Sequence, residues 1–155
     1  MIDKDRDTTY DTTVARHQIV LDTNVFVAAL RSQLGAAHRL LALVGTGQFD
    51  INVSVPLVLE YEEVAKRQAN EIGLSLSDID DILNYLCAVG IPHRVHYLWR
   101  PVLPDPKDDM VLELAVVGQC AFIVTYNDRH LRGAEQFGVR VVSPQGFLLK
   151  IGALP

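Results

Sequence analysis

The alternation of short apolar runs with longer amphipathic stretches constrains the fold of this chain most strongly. Buried strands are predicted at residues 17–21, 49–53, 121–125 and 138–142, with a short extended piece at 93–98. Helices are predicted at residues 24–31, 36–44, 54–68, 77–90, 108–117 and 143–151, with Ser54, Ser77 (with Asp80), Asp108 or Asp109, and Ser143 at their starts. Strands that alternate with helices form parallel βαβ units, so we expect an α/β fold with a mostly parallel sheet between helices.

The length of 155 residues fits one domain with one core, and no linker divides it. Residues 1–16 show no hydrophobic period, so we expect a flexible N-terminal tail followed by a single domain at 17–155. No apolar run reaches the roughly 20 residues that a membrane-spanning helix needs. The N-terminus lacks the apolar segment of a secretory signal. Cys87 and Cys120 have no metal-like spacing and are predicted to be core residues in a reducing compartment, which indicates a cytoplasmic protein.

Polar groups follow the ends of the predicted strands or begin the helices beside them. They are Asp22 after the first strand, Glu60 in the helix after the second, Asp108 and Asp109 before the 121–125 strand, and Asn127 and Asp128 after it. In a parallel sheet these positions lie at one edge, where α/β proteins build their sites. Carboxylates that converge repel each other unless a cation neutralises them, and Mg²⁺ or Mn²⁺ prefers oxygen ligands. A metal held there activates water for phosphodiester hydrolysis, whereas a nucleoside triphosphatase is disfavoured because no G-x-x-x-x-G-K-[ST] loop is present.

Each of these residues also has a structural interpretation. Asp22 and one of Asp108 and Asp109 suit helix caps. Glu60 suits a solvated helix surface, and Asn127 and Asp128 suit a turn. The net charge of −5 argues against a broad basic surface that coats nucleic acid, but it is compatible with an enzyme that acts on nucleic acid.

Four segments together resemble the PIN-domain family, in particular its VapC-like members, the toxin components of toxin–antitoxin systems. They are Ile-Val-Leu-Asp-Thr-Asn-Val at 19–25, Ser-Val-Pro-Leu-Val-Leu-Glu-Tyr-Glu-Glu-Val at 54–64, Asp-Pro-Lys-Asp-Asp-Met-Val-Leu-Glu-Leu-Ala at 105–115, and Ile-Val-Thr-Tyr-Asn-Asp-Arg-His-Leu at 123–131. In order and spacing the resemblance covers about residues 18–151.

The resemblance implies a metal-dependent endoribonuclease with a three-layer α/β/α fold around a mostly parallel sheet. The catalytic acids then match Asp22, Glu60 and Asp109, with Asp108 as the one-residue alternative. The fourth acidic position of the family falls on Asn127, which adds no charge, and Asp128 stands next to it. We expect these residues to hold Mg²⁺ or Mn²⁺, and we expect hydrogen bonds from Thr23, Asn24 and Thr125 to fix the carboxylates.

The expected partners are an RNA substrate, a cognate antitoxin protein and a second copy of the chain in a homodimer. The cations available for RNA contact are Arg31, Arg39, Lys66, Arg67, Lys107, Arg129 and Arg132, and His130 lies near the proposed cleft. Two alternatives stay open, namely an RNA-processing or DNA-directed nuclease on the same fold, and a non-catalytic PIN binding module whose site is weakened at Asn127. A receiver-like phosphoacceptor domain is disfavoured, because the paired acids and the late lysine that it needs are missing.

Overall fold

The computed structural model describes residues 16–95, 103 and 105–154. The tail predicted for residues 1–16 therefore falls, apart from Arg16, outside the described residues. The extended piece predicted at 93–98 falls partly outside them as well.

The sheet is parallel at each of its strand pairs in the described residues. Its five strands have the order β3-β2-β1-β4-β5. They are β1 (His17–Leu21), β2 (Phe49–Val53), β3 (Ile91–Pro92), β4 (Phe122–Val124) and β5 (Arg140–Val142). The β1 strand lies at the centre, and its residues 19–21 are buried, which is why the sequence reads there as an unbroken apolar run.

Helices cover both faces of the sheet. They are α1 (Thr23–Arg31), α2 (Ala36–Leu43), α3 (Val55–Arg67), α4 (Ala69–Ile72), α5 (Leu76–Val89), α6 (Pro106–Val117) and α7 (Pro144–Lys150), with 3₁₀ turns at Asp128–Leu131 and Ala134–Phe137. The connections from β1 to β2 and from β2 to β3 move one way across the sheet, and the connection from β3 to β4 moves the other way. Right-handed crossovers then place the first helices on one face and α6 on the other. The predicted α/β/α sandwich is confirmed.

The core fills the space between the sheet and the helices with aromatic and aliphatic side chains. Phe147 of α7 meets the rings of Phe49 and Phe122 edge-on at centroid distances of 5.4 and 5.6 Å. Phe26 of α1 stacks on Tyr61 of α3 at 4.7 Å. Each such buried ring contributes about 1.5–3 kcal/mol, so these contacts hold α1, α3 and α7 in place.

Two helix starts differ from the sequence prediction. Ser75, not Ser77, caps α5, and it forms a capping box with Asp78. Asp105, not Asp108 or Asp109, caps α6, and its side chain accepts a hydrogen bond of 2.9 Å from the Lys107 amide. Asp105 takes the cap because Pro106 fits the first helical position and needs no partner for a backbone N–H. Ser54 and Ser143 cap α3 and α7 as predicted.

Three further differences concern short elements and a cysteine. The β3 strand is Ile91–Pro92 and ends before His93, where the strand was predicted to begin. The short helix α4 was not predicted, because its four residues are too few to show a period. Cys120 is buried as predicted, but Cys87 is exposed, so its assignment to the core was wrong. Its apolar neighbours Leu86 and Ala88 are misleading because successive helix residues point in different directions.

Among the described residues, no helix is both long and apolar enough to cross a membrane.

Candidate active site

The sheet order reverses direction between β1 and β4, and the crevice outside the carboxyl ends of these strands is where α/β proteins place their ligands. Asp22 stands at this point, directly after β1. Its amide donates to the Val124 carbonyl of β4 at 3.0 Å, and its side chain caps α1 by accepting from the Thr23 amide at 2.8 Å. Asp22 is therefore a helix cap and a residue of the crevice at the same time.

The end of β4 is tied to Asp22 through side chains. The Thr125 hydroxyl donates to Oδ2 of Asp22 at 2.8 Å, and Nδ2 of the Asn24 side chain donates to Oγ1 of Thr125 at 3.2 Å. Asn24 also makes a long contact of 3.5 Å with Oδ2 of Asp22. Since Asp22 and Thr125 are buried, these bonds fix the rotamer of the carboxylate.

Glu60 reaches the same edge from α3. The Thr23 hydroxyl donates to its Oε2 at 2.9 Å. The next residue, Tyr61, is fully buried, and its hydroxyl donates to the Leu21 carbonyl at the last residue of β1. Burial, followed by the negative charges of Asp22 and Glu60, raises the pKa of Tyr61 well above its ordinary value, so the phenol keeps its proton. Tyr61 thereby holds α3 against the end of β1 and keeps Glu60 beside Thr23.

The paired aspartates of α6 occupy different environments. Asp108 lies near the other acids, since burial and then the charges of Asp22, Asp105 and Glu60 raise its pKa to about 6. Asp109 is buried, and its Oδ1 accepts a hydrogen bond of 3.0 Å from the Leu103 amide. Successive residues of an α-helix are rotated by about 100° about its axis, so the two side chains point in different directions. Asp108 thus interacts electrostatically with Asp22 and Glu60, and Asp109 accepts from the Leu103 amide in the segment that precedes α6.

The residues after β4 line the outer rim of the crevice. Asn127 is exposed, and its amide donates to Oγ1 of Thr125 at 3.0 Å. Asp128 is exposed as the first residue of a 3₁₀ turn. His130 follows, with its Nδ1 at 3.9 Å from Oδ2 of Asp108. Its charge, when present, lowers the pKa of both Asp22 and Asp108.

The carboxylates of the cluster repel one another, because few positive charges lie near them among the described residues. Burial raises the pKa of Asp22, and the Thr125 hydroxyl and Thr23 amide oppose that rise. Burial, and then the like charges of Asp22, Asp105 and Glu60, raise the pKa of Asp108 to about 6. A divalent cation at this position would remove the repulsion and stabilise the ionised forms.

The donor set fits a hard divalent metal. The available ligands are carboxylate oxygens, with the amide oxygen of Asn127 at the rim, and such oxygens suit Mg²⁺ or Mn²⁺. In the described part of the chain, no group of three His, Cys, Asp or Glu side chains is arranged to hold one ion. Mg²⁺ commonly binds through one or two carboxylates and keeps several waters, so a closed cage of protein ligands is not required.

Two residues that matter for the site were not predicted from the sequence. Tyr61 holds α3, and Asp105 adds negative charge that raises the pKa of Asp108. The Asp105-Pro106 pair was the signal for the cap, since an acid before a proline at the first helical position is a common helix start. Nothing in the sequence indicates where the hydroxyl of Tyr61 points.

A comparison with protein-family models agrees with this fold and site. The model of the PIN domain matches residues 18–129, which is well over half of the chain. The chain therefore belongs to the PIN-domain family. PIN domains are generally nucleases, hydrolases that typically use divalent metals. A search of curated proteins found no relative that matches the chain.

Proposed function

We propose that this PIN domain is a Mg²⁺- or Mn²⁺-dependent endoribonuclease whose site consists of Asp22, Glu60 and Asp108. One observation carries the proposal most directly. Burial, and then the negative charges of Asp22, Asp105 and Glu60, raise the pKa of Asp108 to about 6, so carboxylates from three distant parts of the chain interact with one another. The folded chain keeps these mutually repelling carboxylates at the carboxyl edge of the sheet. Such perturbed pKa values are typical of functional sites.

Asp22, Glu60 and Asp108 would hold the cation partly through water molecules, with Asn127 and Asp128 at the rim as further oxygen donors. The cation, when bound, supplies activation of water and stabilisation of the charge on the phosphoryl group. The Thr125 hydroxyl and Thr23 amide occupy one lone pair on each oxygen of Asp22 and aim the remaining ones. The Thr23 hydroxyl orients Glu60 in the same way.

The proposal assigns Asp108 rather than Asp109 to the site. The sequence predicted a catalytic role for Asp109, and the environment of this residue supports a structural role instead. It is buried and bound to the Leu103 amide, whereas Asp108 carries the electrostatic coupling to Asp22 and Glu60.

The toxin role rests on the resemblance of the sequence to VapC-like proteins. We propose that a cognate antitoxin inhibits the enzyme by placing a basic side chain in the acidic crevice, where it competes with the cation. We also propose a homodimer, the commonest soluble assembly, and action in the cytoplasm. The free thiols of Cys87 and Cys120 fit a reducing compartment. Co-purification with the product of an adjacent small reading frame tests the first point, and sedimentation tests the second.

The second candidate is a non-catalytic PIN module that binds RNA. The observation that favours it is Asn127, an exposed amide at the position where the family resemblance places an acid. Such a module binds RNA without cutting it, and it need not take up metal.

The deciding experiment is cleavage of a mixed RNA pool in Mg²⁺, in Mn²⁺ and in chelator, with a DNA pool of similar length alongside. The wild-type protein is compared with Asp22→Asn and with Asp50→Asn as a matched control. Asp50 lies in β2 toward the opposite edge of the sheet, where it accepts from Gln18 and pairs with Arg16. We expect metal-dependent RNA cleavage that Asp22→Asn loses and Asp50→Asn keeps. A folded wild-type protein that cuts nothing favours the binding module, and preference for DNA favours the DNA-directed alternative.

A further inference from the structure

Tyr126 is a half-exposed aromatic residue directly beside the acidic cluster. It lies between Thr125, which bonds to Asp22, and Asn127, and it is 50% exposed. Tyr61, by comparison, is fully buried next to the same cluster. Among the described residues that follow β4, Tyr126 therefore offers an exposed aromatic ring next to Thr125, the residue that bonds to Asp22.

The backbone of Tyr126 is held in a fixed position relative to the acids. Its amide donates to Oδ1 of Asn24 at 3.2 Å, and the amide of Asn127 donates to Oγ1 of Thr125 at 3.0 Å. Asn24 and Thr125 both contact the Asp22 side chain. A ligand group that contacts Tyr126 is consequently positioned with respect to Asp22, and little ordering of the loop is needed on binding.

The same loop lines a polar groove. Residues 126–130 enclose about 310 Å³, at the lower end of the usual range for ligand pockets, roughly 300–1,000 Å³. Arg129 supplies a cationic group in this groove, His130 adds an imidazole, and Asp128 supplies an acid. In a protein with a net charge of −5, a phosphate backbone needs such local cations to approach the carboxylates.

We propose that Tyr126 positions the RNA substrate by stacking on an unpaired nucleobase, while Arg129 contacts the neighbouring phosphate. This inference rests on the proposed nuclease function and adds a residue of this chain, Tyr126, that positions the RNA. An aromatic ring stacks on a base of any sequence, provided that the base is free of its own helix. A duplex keeps its bases stacked inside and cannot use Tyr126.

The first test is binding of a labelled single-stranded oligoribonucleotide, measured by anisotropy in chelator on the uncut Asp22→Asn background. Tyr126→Ala is expected to weaken binding by roughly 5- to 150-fold, the range for loss of one base–aromatic stack. Tyr126→Phe keeps the ring and should restore binding. Tyr85→Ala is the matched control, because Tyr85 is 49% exposed but lies on α5 and donates to the Val44 carbonyl, at the far edge of the sheet.

Two substrates sharpen this test. Against a duplex of the same sequence, Tyr126→Ala and the parent should bind alike. A series of single strands carries one abasic position, placed at a different nucleotide in each strand. The parent protein, Asp22→Asn, should lose affinity for the strand in which the stacked base is missing. The affinity of Tyr126→Ala should be the same for every strand of the series. Equal single-strand affinity for Tyr126→Ala and the parent overturns the inference, as does an equal loss for Tyr85→Ala or for the duplex.

Steady-state cleavage by otherwise wild-type protein gives an independent readout. A positioning role predicts that Tyr126→Ala raises KM far more than it lowers kcat, with both recovered in Tyr126→Phe. Loss of kcat at unchanged KM contradicts it. If the wild-type protein cuts no RNA but binding depends on Tyr126, the nuclease proposal fails and the stacking inference stands. If it cuts RNA and Tyr126→Ala binds and cuts normally, only the stacking inference fails.

Discussion

The two neighbouring aspartates of α6 allow the assignment of the site to be tested by a pair of matched substitutions. Asp109→Ala removes the acceptor of the Leu103 amide, and both partners are buried. A hydrogen bond to a charged group contributes about 1.5–3 kcal/mol to the free energy of unfolding. For a chain of this size each kcal/mol corresponds to about 2–4 °C in Tm, so Asp109→Ala should lower Tm by about 3–12 °C.

Asp108→Ala should show the opposite pattern. It removes a carboxylate that Asp22, Asp105 and Glu60 repel, and this gain offsets the favourable interaction of about 0.3–1 kcal/mol between an acid and the first turn of a helix. Its Tm should therefore stay close to that of the wild type. Its metal-dependent cleavage should fall by more than about 100-fold, since loss of an outer-shell partner alone costs 10–100-fold.

Both quantities come from thermal melting by circular dichroism and from RNA cleavage well below either Tm. We predict a stable, inactive Asp108→Ala and a destabilised, active Asp109→Ala. A stable, inactive Asp109→Ala beside an active Asp108→Ala would refute it and return the role to Asp109.

Three other perturbations give checkable results. Thr125→Val removes the hydroxyl that donates to Asp22 at 2.8 Å, so calorimetry should show Mn²⁺ affinity about 10- to 100-fold weaker, and unchanged affinity would contradict this role of Thr125. The pKa of Asp108 is raised from 3.8 to about 6, so in chelator this carboxyl lowers the stability of the fold as the pH rises between these two values. Asp108→Asn should remove that part of the pH dependence of Tm. A profile of Tm against pH identical to that of the wild type would show that the carboxyl is not coupled as described. Ser75→Ala removes the side-chain cap of α5, so chemical denaturation should show a free energy of unfolding lower by about 0.5–2 kcal/mol, with normal RNA cleavage. Altered cleavage would indicate that α5 contributes to the activity.

The parts of the fold that the sequence predicts are those in which one residue pattern has one structural solution. The run Ile19–Val20–Leu21 followed by Asp22 places a buried strand and an acid at its carboxyl end, and both are found there. Ser54 followed by Pro56 likewise starts α3 as expected, because a capping hydroxyl and an early proline favour the same boundary.

Where the pattern has two solutions, the sequence alone does not choose between them. Ser75 with Asp78 and Ser77 with Asp80 have the same spacing, and only the first pair forms the capping box. The choice depends on which register buries Ile79, Leu83 and Leu86, a property of the packed structure.

The acids show the same limit at the site. Asp108 and Asp109 are adjacent in the sequence, and only the rotation of α6 about its axis decides which one faces Asp22. That rotation is set by the cap at Asp105 and by the burial of residues 111–115. The contribution of Tyr61 depends on a contact between α3 and the end of β1 that no local pattern encodes.

We propose above all that the carboxylates at the end of β1, within α3 and at the start of α6 form a divalent-cation site. Calorimetric titration of Mn²⁺ into the wild-type protein, Asp22→Asn and the Asp50→Asn control tests it most directly. The account predicts saturable binding by the wild type and by Asp50→Asn, and its loss in Asp22→Asn. Equal binding by all three proteins, or none by the folded wild type, would contradict it.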